Sequence, residues 1–230
     1  MPYKSRDFPL NLPFASESRN ELLTLTFVLI CVILLAILFP SVIAFILVLL
    51  VGLLWVTILY FFRDPDRQIP LDETVYLSPA DGRIMVIDTV DEPIFMNVQA
   101  KRVAIFMSLI NVHVNRAPMT GEVLLSRHMP GKFLQAFREQ ASEVNEHHLI
   151  GIMDGSNQIL VKQIAGILAR RVVCRVQAGD HIDAGERMGI IKFGSRVEIF
   201  MPPQSTIIVQ IGEQVKAGES IIAYKSLSRQ

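Results

Sequence analysis

Charged residues are absent from Leu22 to Phe62, a run of 41 positions. Within it only Thr24, Thr26, Pro40, Ser41, Gly52 and Thr57 fall outside the apolar set. One helix of that length would extend about 61 Å, against about 30 Å for the hydrocarbon of a bilayer. Pro40 cannot donate its amide, and the residue before a proline avoids the helical region. The pattern therefore predicts a two-helix membrane hairpin over 22–62, with spans 22–39 and 42–62. The turn between them is very short, so a crossing hairpin and a re-entrant pair both fit; one long tilted anchor is the alternative. Lys4, Arg6 and Arg19 precede the run, and Arg63 and Arg67 follow it. Positive charge on both flanks predicts both ends, including a segment 1–21, on the cytoplasmic side of the cell membrane. No small-residue cleavage site follows an isolated short apolar core, which argues against a signal peptide.

After Arg63 the period changes. Short β-branched runs recur between Gly, Asp and Pro: 84–90, 102–109, 122–125, 158–166, 171–176, 196–200, 206–211 and 220–224. Such spacing predicts a mostly β domain over 63–230, a sandwich or barrel of short strands. One segment, 132–143, has Phe133, Phe137 and Ala141 at helical spacing and predicts a short helix. An internal repeat lies near the end. Val176–Glu186 aligns without gaps to Val209–Glu219, with six of eleven positions identical. Each copy reads as strand, Gly-acidic turn, apolar residue, Ala-Gly-acidic turn, strand. The glycines suit the positive φ of such turns. The repeat resembles the biotinyl/lipoyl-like hairpin of barrel-sandwich hybrids, and two copies suggest pseudo-symmetric halves of one β domain.

Composition now has a place. The chain is 51% apolar over 230 residues, but outside the uncharged run the figure is about 43%, ordinary for a globular domain. Lys+Arg and Asp+Glu are 22 each, so no basic field predicts a nucleic-acid partner. Cys31 and Cys174 make neither a disulfide framework nor a metal spacing.

Three segments carry candidate chemistry: Ser78-Pro-Ala-Asp-Gly-Arg83, Phe106–Gly121 with His113-Val-Asn-Arg-Ala-Pro118 inside it, and Phe193-Gly-Ser195. Alone, Asp81-Gly82 and Gly194-Ser195 read as turns, and His113 as a half-buried strand residue. In this order, with Phe61-Phe-Arg-Asp-Pro65 and Asn145-Glu146, they resemble the phosphatidylserine decarboxylases in their short, archaeal-type form, from Phe61 to about Tyr224. The resemblance implies a pyruvoyl-dependent, self-cleaving proenzyme. Ser195 Oγ would attack the carbonyl of Gly194, and elimination and loss of ammonia would leave a covalent pyruvoyl group on residue 195. A large chain, 1–194, and a small chain, 195–230, would stay associated. Phosphatidylserine in the membrane would form a Schiff base with the pyruvoyl group, lose CO2 and leave as phosphatidylethanolamine. No metal is implied.

A serine hydroxyl needs a base, and His113, oriented by Asp81, is the candidate. The implied catalytic residues are thus Ser195, His113 and Asp81. Many relatives carry two histidines three apart before a proline, whereas here the positions are His113 and Arg116. Arg116 cannot act as a base and is a candidate for binding a substrate carboxylate or phosphate. His128, His147, His148 and His181 are spare. Arg63, Arg67 and Arg83 are candidates for anionic headgroups. Self-association is left open. Two other readings stand beside this one: a non-enzymatic membrane-anchored biotinyl/lipoyl-like adaptor, which explains the anchor and the repeat but not Asp81, His113 and Ser195 together, and a zinc peptidase, for which His113 offers only one strong ligand.

Overall fold

The computed structural model describes residues 14–155, 157–167, 172–192 and 194–226. The chain forms two units, divided between Asp66 and Arg67.

The first unit is a helical hairpin. Helices α1 (Arg19–Leu38) and α2 (Val42–Phe61) have 20 residues each and are long and apolar enough to cross a bilayer. The break falls at Phe39-Pro40-Ser41, where the Ser41 hydroxyl accepts the Ala44 amide at 3.2 Å and caps α2. The Thr26 hydroxyl donates to the Leu22 carbonyl at 2.7 Å and accepts the Trp55 indole N–H at 2.9 Å, so two polar side chains on facing helices satisfy each other. Elsewhere the unit exposes large apolar side chains, Leu38 by 69% and Val42 by 76%. That is a surface suited to lipid rather than water.

The second unit is mostly β. Its elements are β1 (Val75–Leu77), β2 (Gly82–Glu92), β3 (Val98–Met107), β4 (Val114–Arg116), β5 (Gly121–Met129), a four-residue helix α3 (Ala141–Val144), β6 (His147–Asp154), β7 (Asn157–Ile164), β8 (Val172–Cys174), β9 (His181–Ile182), β10 (Arg187–Ile191), β11 (Ser195–Met201), β12 (Thr206–Ile207), β13 (Gln214–Val215) and β14 (Ile221–Tyr224). Eight strands form one sheet in the order β13-β2-β3-β11-β7-β6-β5-β9; β1-β14-β12 and β4-β10-β8 form two smaller ones. On β11 the alternation decides the layers. Val197, Ile199 and Met201 enter the main core, whereas Phe200 joins a second cluster with Ala100, Leu149 and Leu160. Arg196 and Glu198 share that second face, paired at 2.6 Å and both buried.

The sequence repeat is half of a larger duplication. In the first copy the Gly179 amide donates to the Val123 carbonyl, Val123 donates back to Asp180, and Gly185 donates to Ala117, each at 2.8 Å. In the second copy Gly212 donates to Ile84, Ile84 to Glu213, and Gly218 to Ser78, each at 2.9 Å. The partners are themselves a pair: Ser78-Pro-Ala-Asp-Gly-Arg-Ile84 and Ala117-Pro-Met-Thr-Gly-Glu-Val123. They also exchange bonds, Leu77 N–H to Pro118 O at 2.8 Å and Arg116 N–H to Pro79 O at 3.0 Å. Reciprocal bonds of this kind mark a local twofold. Gly179 and Gly212 have φ of +96° and +93°, and Gly185 and Gly218 +79° and +74°, so each copy places glycine where a Cβ would strain the backbone.

Two expectations change. The helix expected over 132–143 is a set of turns ending in α3. The Asn145 side chain accepts the Leu134 amide at 2.9 Å and donates to the Leu134 carbonyl at 2.8 Å, holding the segment open where a helix would need both groups. Phe133 packs on the main core while Phe137 stays 54% exposed against Phe106. Strand β6 was not expected, because its adjacent histidines and Gly151 break the apolar alternation. Of the strand expected over 171–176, Arg171 lies outside the described residues.

Candidate active site

Gly194 lies between β10 and β11 with φ +48°, in the left-handed region. A single loop holds both sides of this turn. Met107, at the end of β3, pairs with Ser195, and Val114 of β4 pairs with Ile190. The His113 carbonyl accepts the Ile191 amide at 3.4 Å. Residues 108–113 therefore bridge the two strands that flank Gly194, and they carry His113 to that end of the sheet.

Ser195 is fully buried, and its hydroxyl donates to Met107 Sδ at 3.3 Å. The Asn115 amide reaches the same sulfur at 3.6 Å, and Gln163 Nε2 donates to Asn115 Oδ1 at 2.7 Å. A thioether is a weak acceptor, so the serine hydroxyl is oriented but not locked. His113 is also fully buried, with Nδ1 2.9 Å from the Asn111 carbonyl oxygen. A carbonyl only accepts, so Nδ1 carries the hydrogen, and in the neutral form of the ring the lone pair is on Nε2. Asn111 is held in turn, its Oδ1 accepting the Ser108 amide at 2.9 Å and hydroxyl at 2.6 Å.

Asp81 is placed differently from the expectation. Its Oδ1 accepts the Ala217 amide at 2.8 Å, and its Oδ2 accepts from Arg67 at 3.0 Å. The bond at Nδ1 of His113 is the one to the Asn111 carbonyl. A carboxylate gains more from a permanent guanidinium than from a neutral imidazole. The same contact corrects the reading of Arg67, whose side chain is 4% exposed and also reaches Glu219 at 3.8 Å. It faces the domain interior, not headgroups. Arg116 is buried, with Nη1 donating to the Gly185 carbonyl at 3.0 Å, so it braces the repeat turn.

The spare groups lie elsewhere. His148 contacts Ser126 Oγ at 2.9 Å, and burial, with His128 and His147 nearby, pushes its pKa down to about 4. Burial also lowers the pKa of His147, whose Nδ1 is 2.7 Å from the Asn145 carbonyl oxygen. His181 is exposed beside Asp183. Burial pushes the Cys174 thiol up, away from the reactive thiolate.

A model of the family described as phosphatidylserine decarboxylase matches residues 56–223. The chain belongs to that family. It is 44% identical over 166 residues to the phosphatidylserine decarboxylase proenzyme of Symbiobacterium thermophilum, covering 72% of this chain and 77% of that protein. Against the proenzyme of Chlorobium phaeobacteroides the identity is 49% over 164 residues, 71% of this chain and 77% of the relative. The proenzyme of Carboxydothermus hydrogenoformans is 44% identical over 175 residues, with coverage of 76% and 82%. The matched span takes in every strand of the decarboxylase-family domain up to most of β14.

Of the expected residues, Ser195, Gly194 and His113 share one end of the sheet, while Asp81 and Arg116 each bond a backbone group of a repeat turn. Sequence reasoning missed Met107, Asn115 and Gln163. Met107 and Asn115 both stood inside the noted segment 106–121, but Met107 meets Ser195 through strand register, and Gln163 reaches Asn115 from a strand of another sheet.

Proposed function

We propose that the protein is a self-cleaving, pyruvoyl-dependent decarboxylase that converts phosphatidylserine to phosphatidylethanolamine in phospholipid biosynthesis. The observation that carries this reading is the junction itself: a glycine carbonyl in left-handed backbone, followed by a buried serine hydroxyl on a weak acceptor. Ser195 Oγ bonds to the Gly194 carbonyl carbon, the Gly194–Ser195 amide breaks, and the hydroxyl proton passes to the freed amine. His113 Nε2 is the proposed proton carrier. Elimination then loses the Cα proton and breaks the Cβ–Oγ bond of residue 195, leaving chain 1–194 with a free carboxylate and chain 195–230 starting in dehydroalanine, whose imine tautomer takes up water and releases ammonia to become the pyruvoyl group.

The surroundings of Ser195 suit a small keto group, being buried, with an amide donor on Asn115 bonded to the same Met107 sulfur. That group supplies an electron sink for the bond to the departing carboxylate. Asn115 would donate toward a carbonyl oxygen, and Arg116 is the candidate partner for a substrate carboxylate or phosphate. Asp81 enters through the frame it builds with Arg67 and Ala217.

A lipid substrate is supported by the family and by apolar residues that surround this end of the domain. Leu109, Ile110, Phe137 and Ile167 are each at least 50% exposed, on three segments that converge on Gly194. In this reading the hairpin tethers the domain to the cytoplasmic face of the cell membrane.

Denaturing mass analysis tests the reading. The expected products are a chain ending at Gly194 and a 36-residue chain blocked by pyruvoyl. A single intact chain that releases no CO2 from phosphatidylserine overturns it. Ser195→Ala should stay whole and inactive, and decarboxylation by that variant would remove the cofactor assignment.

A further inference from the structure

A cleavage that uses the Gly194 carbonyl needs that carbonyl held still, and one glycine outside the motifs does this. A Cβ built on Gly166 would fall inside the contact radius of the Gly194 carbonyl oxygen and 3.0 Å from the carbonyl carbon. Both belong to the carbonyl that Ser195 would attack, so a side chain at 166 forces that carbonyl and the backbone at 166 apart. The φ of Gly166 is not in the left-handed range. Close approach, not backbone freedom, is therefore what the position requires.

Gly166 is itself held. The Ala165 carbonyl accepts Asn145 Nδ2 at 2.7 Å, and the Ala165 amide donates to the Glu146 carbonyl at 2.9 Å. Asn145 is 1% exposed and spends its remaining side-chain bonds on Leu134. On the far side, the Cβ of Ala136 is 3.4 Å from the position a Gly166 Cβ would take. The bonds run from Asn145 to Ala165, and contact runs from Gly166 to the Gly194 carbonyl.

We infer that Gly166, clamped by Asn145, is a positioning residue for self-cleavage: its bare backbone seats the Gly194 carbonyl oxygen where Ser195 Oγ reaches the carbon. The inference rests on the proposed cleavage at Gly194–Ser195. In the step it serves, the C–O bond to Ser195 forms as the C–N bond breaks, and the negative charge passes transiently through the oxygen that lies against Gly166. A shift of this carbonyl by about 1 Å is enough to cost about 100-fold in such a reaction.

The test compares Gly166→Ala with Gly121→Ala, whose Cβ would meet the Met153 carbonyl in the same domain, remote from Ser195. Cleavage rate is followed by gel and mass, and stability by thermal melting with Ser195→Ala as the uncleaved background. The expected result is that Gly166→Ala folds but cleaves about 100-fold more slowly, while Gly121→Ala cleaves near the parent rate even where its melting temperature falls as far. Cleavage by Gly166→Ala at the parent rate overturns the inference, and so does loss of cleavage that tracks melting temperature equally in both variants. If Gly166→Ala does not fold, Asn145→Asp decides. It loses the donor to Ala165 while keeping an acceptor for Leu134, and parent-rate cleavage by it overturns the inference. A parent protein that stays intact is a failure of the proposed function, read separately from these comparisons.

Discussion

The two halves of the duplicated β domain use one frame for different ends. In the half built on β4 and β5, the Thr120 hydroxyl accepts the Ala184 amide at 3.0 Å; in the half built on β1 and β2, Asp81 Oδ1 accepts the Ala217 amide at 2.8 Å. The bond that looks specific to Asp81 is thus a turn bond that its twin makes with a neutral side chain. What Asp81 adds is charge, matched by Arg67. The larger divergence is one strand earlier. Thr74, Tyr76 and Leu77 in the first half stand where the second half has His113, Asn115 and Arg116. Only the second of these halves runs on, through β10, into Gly194 and Ser195. Residues that depart from their twins on that side are the ones the frame alone does not explain.

The comparison breaks first at His113. In this reading His113→Ala lowers turnover by about 10²–10⁴-fold, whereas Thr74→Ala at the twin position leaves it within about twofold, as expected for a surface change. Cleavage and CO2 release are measured separately, and similar values for the two variants would erase the asymmetry. Asp81→Thr installs the twin's residue. It keeps an acceptor for Ala217 but leaves Arg67 buried without its nearest counter-ion, at a cost of about 3 kcal/mol in urea unfolding. A variant of full stability and no activity would return Asp81 to the chemistry. Thr120→Ala removes only the neutral bond and costs about 1 kcal/mol; a larger loss would mean that the two turns are not equivalent.

The smallest effect is one of pH. Folded His148 has its pKa lowered from 6.5 to about 4, chiefly by burial. The unfolded chain takes up a proton near 6.5 that the folded domain refuses until about 4. Stability therefore declines on this account as pH falls through that window and is flat above it. His148→Gln, which keeps a polar group for Ser126, should reduce the slope of unfolding free energy between those values; an unchanged slope assigns it to other groups.

Much of this was legible in the chain. The uncharged run gave the hairpin because no soluble packing tolerates 41 such residues and Pro40 marks its break. The repeat at 176 and 209 was visible because turn glycines tolerate few substitutes. Its counterpart, 78–84 against 117–123, keeps only a proline and a glycine in common and emerged from the exchanged backbone bonds. Ser195 could be found as a motif. The neighbours that give it meaning could not, since Met107 is 88 residues away and meets it only by strand register. The Arg67 partner of Asp81 was not foreseen, because sequence offers no sign that Arg67 folds inward.

Strand β11 is bonded along both edges, to β3 and to β7. A cut at its first residue would create a chain end in the middle of a sheet rather than at a margin, so the new terminus would have little room to fray. The same position makes residues 195–230 a part that cannot be fitted afterwards: supplied as a separate peptide, they would need the sheet parted to enter. In such a protein, the two chains found at the end would be a record that folding came first.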